Sequence, residues 1–183
     1  LGAIYIVRDP RNIITSMTHH YSLNYEQAYY KLLDENATLL EKSGDGDYSN
    51  FTFLGSWSSH YKSWKNSKDF KTLFIKYEDL EDNKYDTFKK IIQFINNLKK
   101  NNQSINEKKF LNSINSTNFS NLRNKEDIEG FEESVKSKSG QKIKFFNLGF
   151  NNRWQKILPK DILFKLNNNL QNDLNDLGYE INE

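Results

Sequence analysis

The segment Ala3-Ile4-Tyr5-Ile6-Val7 leads without a spacer into Arg8-Asp9-Pro10. A short continuous run of β-branched and aromatic residues is the pattern of a buried strand in a parallel sheet. Asp is a good N-cap and Pro is favoured at the first helical position. A helix is therefore expected to start here and to run through Ile13, Ile14 and Met17 to about His20. A strand that enters a capped helix directly is half of a βα unit, and this confines the chain to the α/β class. The second clear strand is Thr72-Leu73-Phe74-Ile75-Lys76-Tyr77, followed by Glu78-Asp79 and a helix carrying Phe88, Ile91, Ile92 and Ile95. Two strands, each followed by a helix, predict a three-layer α/β/α sandwich with a parallel sheet. Sheets usually hold about four to six strands, so part of the sheet is expected to lie outside this chain.

Between the strands, helices are expected over about Tyr25 to Leu40 and Leu54 to Trp64, separated by a loop at Gly44-Asp45-Gly46-Asp47. Trp57, Tyr61 and Trp64 recur at helical spacing, the pattern of a packed face. Residues 96–109 are a polar connection, followed by a short helix over Glu107 to Ile114 and a turn around Phe119 to Arg123. Residues 125–144, charged and rich in Ser and Gly, read as a long loop, and such loops in compact domains serve as lids or binding segments. A last helix after Pro159 carries Ile162, Leu163, Leu166, Leu170 and Leu174 and ends at Gly178. The 183 residues read as one domain.

Composition narrows the function. The 26 Lys+Arg nearly balance 24 Asp+Glu, which argues against a dedicated nucleic-acid or membrane-surface binder. A and T bias in the codons accounts for the abundant Lys and Asn, so the lysines are not read as a binding signature. The absence of cysteine excludes disulfide scaffolds, zinc ribbons and cysteine nucleophiles. No apolar run reaches the roughly 20 residues that span a bilayer. The chain starts at Leu1, and its one methionine is Met17. A soluble, intracellular segment is expected.

The strongest chemical signal is Arg8-Asp9-Pro10-Arg11-Asn12-Ile13-Ile14-Thr15-Ser16. Arg8 follows the carboxyl end of a buried strand, where open α/β sheets bind ligands. The next helix is expected to offer free N–H groups and a positive dipole end. Asn12, Ser16 and His19 share one of its faces. A guanidinium fork plus a serine hydroxyl suits a phosphate group. The residues alone leave open that Arg8 pairs with a carboxylate and Ser16 is only tolerated. Metal ligation is not expected: His19 and His20 are adjacent, and no H-E-x-x-H spacing occurs. His60 reads as a hydrogen-bonded structural histidine. No G-x-S-x-G, G-x-G-x-x-G or Walker A motif is present, and Ser137-Lys138-Ser139-Gly140 imitates a phosphate loop without its preceding strand.

Several segments together resemble the carboxyl-terminal two-thirds of a PAPS-dependent sulfotransferase of the cytosolic type (PAPS is 3′-phosphoadenosine 5′-phosphosulfate). Ile4-Tyr5-Ile6-Val7-Arg8-Asp9-Pro10, with Ser16 further on, resembles the family's 3′-phosphate motif. Gly55-Ser56-Trp57-Ser58-Ser59-His60-Tyr61-Lys62-Ser63-Trp64 resembles its G-S-W-x-x-H-x-x-x-W helix. Tyr77-Glu78-Asp79-Leu80 resembles Y-E-D-[LM], and Thr117-Asn118-Phe119-Ser120-Asn121-Leu122 resembles T-x-F-x-x-[ML]. In Phe145-Phe146-Asn147-Leu148-Gly149-Phe150-Asn151-Asn152-Arg153-Trp154 the first Phe, the Gly and the Trp fit F-x-R-K-G-x-x-G-x-W. Asn147-Leu148 stand where the family has Arg-Lys, and Arg153 is the candidate substitute. The family's K-x-x-x-T-V-x-x-x-E dimerisation motif is not recognisable, so the oligomeric state is open.

The resemblance implies a P-loop-nucleotide-hydrolase-like sulfotransferase fold without its amino-terminal part. It implies PAPS as sulfonate donor, PAP (3′,5′-adenosine bisphosphate) as product, no metal, a small-molecule hydroxyl or amine acceptor, no nucleic-acid or membrane partner, and a cytoplasmic location. It implies that Arg8 and Ser16 hold the 3′-phosphate, that Tyr77, Thr117 and Phe119 lie at the adenine, and that Gly149 belongs to the same site. The P-K-[ST]-G-T-T-W loop and the catalytic histidine of the family are not in these residues, so no catalytic residue is expected here. The alternatives are a non-catalytic sulfotransferase-like nucleotide-binding or interaction domain, motivated by Asn147-Leu148, and a kinase-like nucleotide transferase.

Overall fold

A computed structural model describes residues 1–40, 51–101, 103–137 and 139–181. In chain order the elements are β1 (Gly2–Val7), α1 (Pro10–His20), α2 (Tyr25–Leu33), β2 (Thr38–Leu40), β3 (Phe51–Phe53), α3 (Trp57–Lys65), β4 (Lys71–Lys76), α4 (Tyr77–Asp82), α5 (Lys84–Lys99), α6 (Glu107–Ser116), α7 (Phe119–Glu129), a 3₁₀ turn (Gly149–Asn151), α8 (Trp154–Ile157), α9 (Lys160–Asn169) and α10 (Gln171–Asp176). β1 pairs parallel with β4 in the register Gly2↔Lys71 to Val7↔Lys76. β2 and β3 form a separate antiparallel pair.

The parallel pair is the centre of the α/β arrangement. Tyr5 and its register partner Phe74 stack at 4.9 Å, and α3 lies over them through His60 and Trp64. The Tyr5 hydroxyl and His60 Nδ1 share a 2.7 Å hydrogen bond, the structural role expected for this histidine. Burial lowers the His60 pKa and pushes the Tyr5 hydroxyl up to about 12. Ile4 and Ile6 point to the other side and are 38% and 51% exposed. The strand is thus less completely buried than its apolar run predicts; on that side of the sheet the main cover, α5, packs against β4.

The core lies among helices. Ile14 of α1, Ala28, Tyr29 and Leu32 of α2, and Trp154, Leu158, Ile162, Leu166, Leu170 and Leu174 of the carboxyl-terminal helices form one buried cluster. That end of the chain is held to α3 by a polar clasp. Asp173 accepts from the Ser58 hydroxyl at 2.6 Å and from the fully buried Tyr61 hydroxyl at 2.7 Å, and pairs with Lys62 at 2.5 Å.

Four boundaries differ from expectation, each for a local reason. α2 stops at Leu33 because Asp34 folds the chain back: its carboxylate accepts from Asn36 N–H and its carbonyl from Ala37 N–H. Residues 38–40 are then strand. α3 starts at Trp57, three residues late, because Gly55 has φ +68° and Ser56 is the N-cap, accepting from Ser59 N–H. Phe119 to Arg123 is no mere turn: Asn118 caps a helix that continues to Glu129. The last helix is two, α9 and α10, broken at Leu170. The loop at Gly44-Asp45-Gly46-Asp47 lies outside the described residues. No helix among the described residues is long and apolar enough to cross a membrane.

Burial pushes the Asp173 carboxyl up, but the bonds from Lys62, Ser58 and Tyr61 outweigh it and hold it below the ordinary value. A depressed carboxyl contributes stability fully above its unfolded pKa of about 3.9 and loses it as pH falls through the lower folded value. Asp173→Ala should cost about 1–2 kcal/mol in urea unfolding, because the Ser58 and Tyr61 hydroxyls lose their shared acceptor while Asp176 still accepts from Tyr61. The stability gap between the wild type and Asp173→Asn should be constant above about pH 5 and shrink below about pH 4.

Candidate functional site

At the carboxyl end of the parallel pair, the chain opens into a cavity of about 570 Å³. Its wall includes all six residues singled out in the sequence: Arg8, Ser16, Tyr77, Thr117, Phe119 and Gly149. Each comes from a different element or element end. Arg8 follows β1, α1 carries Ser16, α4 begins at Tyr77, Thr117 closes α6, Phe119 opens α7, and Gly149 starts the 3₁₀ turn.

Among the described residues no carboxylate forms an ion pair with Arg8, although Glu81 on the same cavity wall feels its charge. Its guanidinium lies 4.1 Å from the centre of the Tyr77 ring, and its Nε is buried without a hydrogen-bond partner. An unanswered buried donor on a cation is an unfilled demand for an acceptor. The neighbouring arginine behaves oppositely. Arg11 is 1% exposed, and it grips Asp9 through Nε at 2.9 Å and Nη2 at 2.7 Å while stacking on Trp154.

The expected free N–H groups at the start of α1 are not available. Pro10 has none, Arg11 N–H donates to the Asp9 carboxylate, and Asn12 and Ile13 N–H donate to the Asp9 carbonyl. The cap has used the helix's own anion site. What remains for an anion is Arg8 and, two turns on, Ser16.

The Ser16 hydroxyl donates to the Asn12 carbonyl at 3.3 Å and accepts from Asn152 Nδ2 at 2.9 Å. The first bond is long and leaves the proton free to turn toward a bound acceptor. Asn152, 7% exposed, was not singled out in the sequence. Its amide bonds Ser16, the Asn12 carbonyl and the Thr15 hydroxyl, so it orients the α1 face that lines the cavity. The only sequence signal for it is its place between Gly149 and Trp154 in the last resembling segment. The Asn12 side chain does not face the cavity; its Oδ1 accepts from Trp154 N–H at 3.0 Å. His19 and His20 do line it, and His19 Nε2 donates to the Lys144 carbonyl at 2.9 Å.

The opposite wall is aromatic. Gly149 adopts φ +54°, and a Cβ there would sit 2.8 Å from the Phe119 ring. Backbone and ring approach more closely than any side chain at 149 permits. Phe146 and Phe150 flank Phe119 edge-on or tilted at about 6 Å. Burial raises Tyr77, Arg8 lowers it, and its hydrogen bond to Glu81 raises it again. Glu81 is likewise raised by burial against the pull of Arg8. A flat, partly apolar slot thus adjoins a cationic corner, which is the composition of a site for a nucleotide base and a phosphate.

Asn147 and Leu148 line the cavity, and Arg153 does not; it is exposed, its Nε donating weakly to the Phe150 carbonyl. Arg153 therefore does not replace the absent Arg-Lys pair, whereas Lys84 at the start of α5 is a cavity cation that the sequence reading missed. A second cavity of about 590 Å³ between α5 and α6 has Lys109 as its one cation and mostly apolar walls. Ser137, of the phosphate-loop imitation, shares a hydroxyl bond with Ser139 away from both cavities.

Comparison with known proteins accords with this geometry. The solved structure of a mouse sulfotransferase complexed with PAP is similar at 20% identity and a TM-score of 0.56, over 93% of this chain and 57% of that one. A retinol dehydratase in a complex with retinol and PAP is similar at 17% identity and a TM-score of 0.59, over 98% of this chain and 49% of that one. The chain thus spans about half the length of these structures and shares their α/β sulfotransferase fold. The sulfotransferase domain profile matches residues 2–178, a stretch that takes in both paired strands, the cavity and all six of its expected residues: this chain belongs to the sulfotransferase family.

Proposed function

We propose that this chain is the nucleotide-holding part of a cytoplasmic PAPS-dependent sulfotransferase, a single domain that passes sulfonate from PAPS to a small hydroxyl or amine acceptor. The observation that carries the reading is Arg8, a half-buried guanidinium whose buried Nε has no hydrogen-bond partner, on the same cavity wall as Ser16 and beside an aromatic slot. In this reading Arg8 and Ser16 take the 3′-phosphate, and Tyr77, Phe119 and Thr117 take the adenine, with Gly149 leaving room for the Phe119 ring. PAPS supplies an activated sulfonate; these residues bind and orient its far end. The 183 residues contain no P-K-[ST]-G-T-T-W segment, so the groups acting on the sulfonate are proposed to come from sequence outside them. The non-catalytic reading draws on one observation, that Asn147 and Leu148 bring no charge to the cavity.

Calorimetric titration with PAP tests the reading. The chain should bind PAP in preference to AMP and ATP, and Arg8→Ala should weaken PAP more than tenfold, since charge-assisted bonds to phosphate contribute about 1.5–3 kcal/mol. Equal affinity for PAP and AMP would overturn the 3′-phosphate assignment. Gly149→Ala should weaken PAP at least as much while lowering stability by about 1–3 kcal/mol, because it forces a Cβ into both a left-handed backbone and the Phe119 ring. Incubated with PAPS and a phenol, the chain alone should yield no sulfonated product above background.

A further inference from the structure

Residues 125–144, expected as a long loop, begin inside a helix and beyond Gly130 are mostly loop. Lys125 to Glu129 belong to α7. Beyond Gly130 the chain makes a narrow excursion closed by Ser137 N–H to the Gln141 carbonyl, Ile143 N–H to the Val135 carbonyl and a bridge between Lys136 and Lys142. At its base lies a carboxylate with no role in the site as described. Glu126 is 5% exposed. One of its oxygens accepts from Phe145 N–H at 2.7 Å and from the Ser134 hydroxyl at 2.9 Å, and the other accepts from Phe146 N–H at 2.9 Å.

Two successive backbone N–H groups aimed at one carboxylate fix the orientation of both peptide planes. The residues that follow at once, Asn147, Leu148 and Gly149, form the cavity wall. The helix that carries Glu126 also carries Phe119 at its other end, and Phe119 lies against Gly149 and Phe146. One rigid helix therefore holds both ends of the contact: its first residue provides the ring, and its eighth ties down the strand of chain on which the ring packs. Phe131 adds an apolar layer, stacking on Phe145 at 4.8 Å and Phe146 at 5.2 Å. Burial raises the Glu126 carboxyl, but the Phe145, Phe146 and Ser134 bonds and nearby Lys142 bring it below the ordinary range, so it is held as the anion.

We propose that Glu126 is a positioning residue for the nucleotide site: its carboxylate clasps the Phe145 and Phe146 amides and so sets the Asn147-Leu148-Gly149 wall against Phe119. This rests on the nucleotide reading of the cavity. Glu126 touches no ligand itself. Its contribution is to hold the wall in the bound arrangement before nucleotide arrives, which reduces the ordering needed on binding.

The test combines amide hydrogen exchange with PAP calorimetry on the 183-residue chain. Glu126→Gln keeps the side-chain shape but turns an NH₂ toward one of the two amides. The Phe145 and Phe146 amides should then exchange at least tenfold faster, β1 amides should be unchanged, and PAP affinity should fall about tenfold. Ser134→Ala, which removes one hydroxyl and leaves both amide bonds, should stay within about threefold of the wild type on both readouts. Should Glu126→Gln fail to fold, Glu126→Asp, which keeps the charge on a shorter arm, takes its place. Loss of amide protection together with loss of affinity, in Glu126→Gln or in the Glu126→Asp that replaces it, supports the clasp. Faster exchange with unchanged PAP affinity, or unchanged exchange, overturns it. A wild-type chain that does not bind PAP removes the nucleotide reading itself; wild-type binding that Glu126 variants leave unmoved removes only the clasp.

Discussion

The arrangement of the site depends on how one carboxylate is shared at the turn from β1 to α1. Asp9 caps the helix by accepting from Arg11 N–H and is held in turn by the Arg11 guanidinium. Both partners are buried, and a buried charge is tolerable only when paired and hydrogen-bonded. The pairing has two consequences. It consumes the helix-terminal donors that would otherwise attract an anion, and it takes up the carboxylate next to Arg8 in the chain. Two arginines three residues apart thus have opposite surroundings: Arg11 is paired with Asp9 inside the protein, and Arg8 lines the cavity with its Nε unpartnered.

The same pair ties the amino-terminal turn to the far end of the chain. Arg11 stacks on Trp154 and donates to Asn167, while Asn12 accepts from Trp154 N–H and Asn152 bonds back to Asn12 and Ser16. These contacts dock α8 and α9 on α1 in register with the hydrophobic cluster beneath them. They also bring the 3₁₀ turn, and with it Gly149, to the rim of the cavity. Stability and site geometry thus use the same interface.

Much of the fold was legible because its signals are local. The β1 run, the Asp9-Pro10 start and the Gly178 stop each depend on neighbours within a few residues, and each stands where the sequence puts it. Boundaries set by side-chain bonds to backbone were harder to see. Asp34 ends α2 and Asn118 starts α7 through turn chemistry that polar, Asn-rich sequence disguises. The exposure of Ile4 and Ile6 was invisible, since an apolar strand reads the same whether or not its second face is covered.

The candidate site divides along the same line. Which residue types it would use was readable from sequence, because the Arg8–Ser16 spacing and the Tyr77, Thr117, Phe119 and Gly149 segments carry their resemblance in short windows. That the six share one cavity, that Asn152 orients Ser16, that Arg153 turns away and that Glu126 clasps the wall were decided by tertiary structure. The Asn152 bond to Ser16 and the Glu126 bonds to Phe145 and Phe146 join residues at least 19 positions apart. The sequence by itself determined the α/β class and the chemistry on offer, which are short-range properties of strand, cap and residue type. Only the folded chain decided which arginine is paired and which lines the cavity, because that choice follows from burial and from the partners that packing brings within reach.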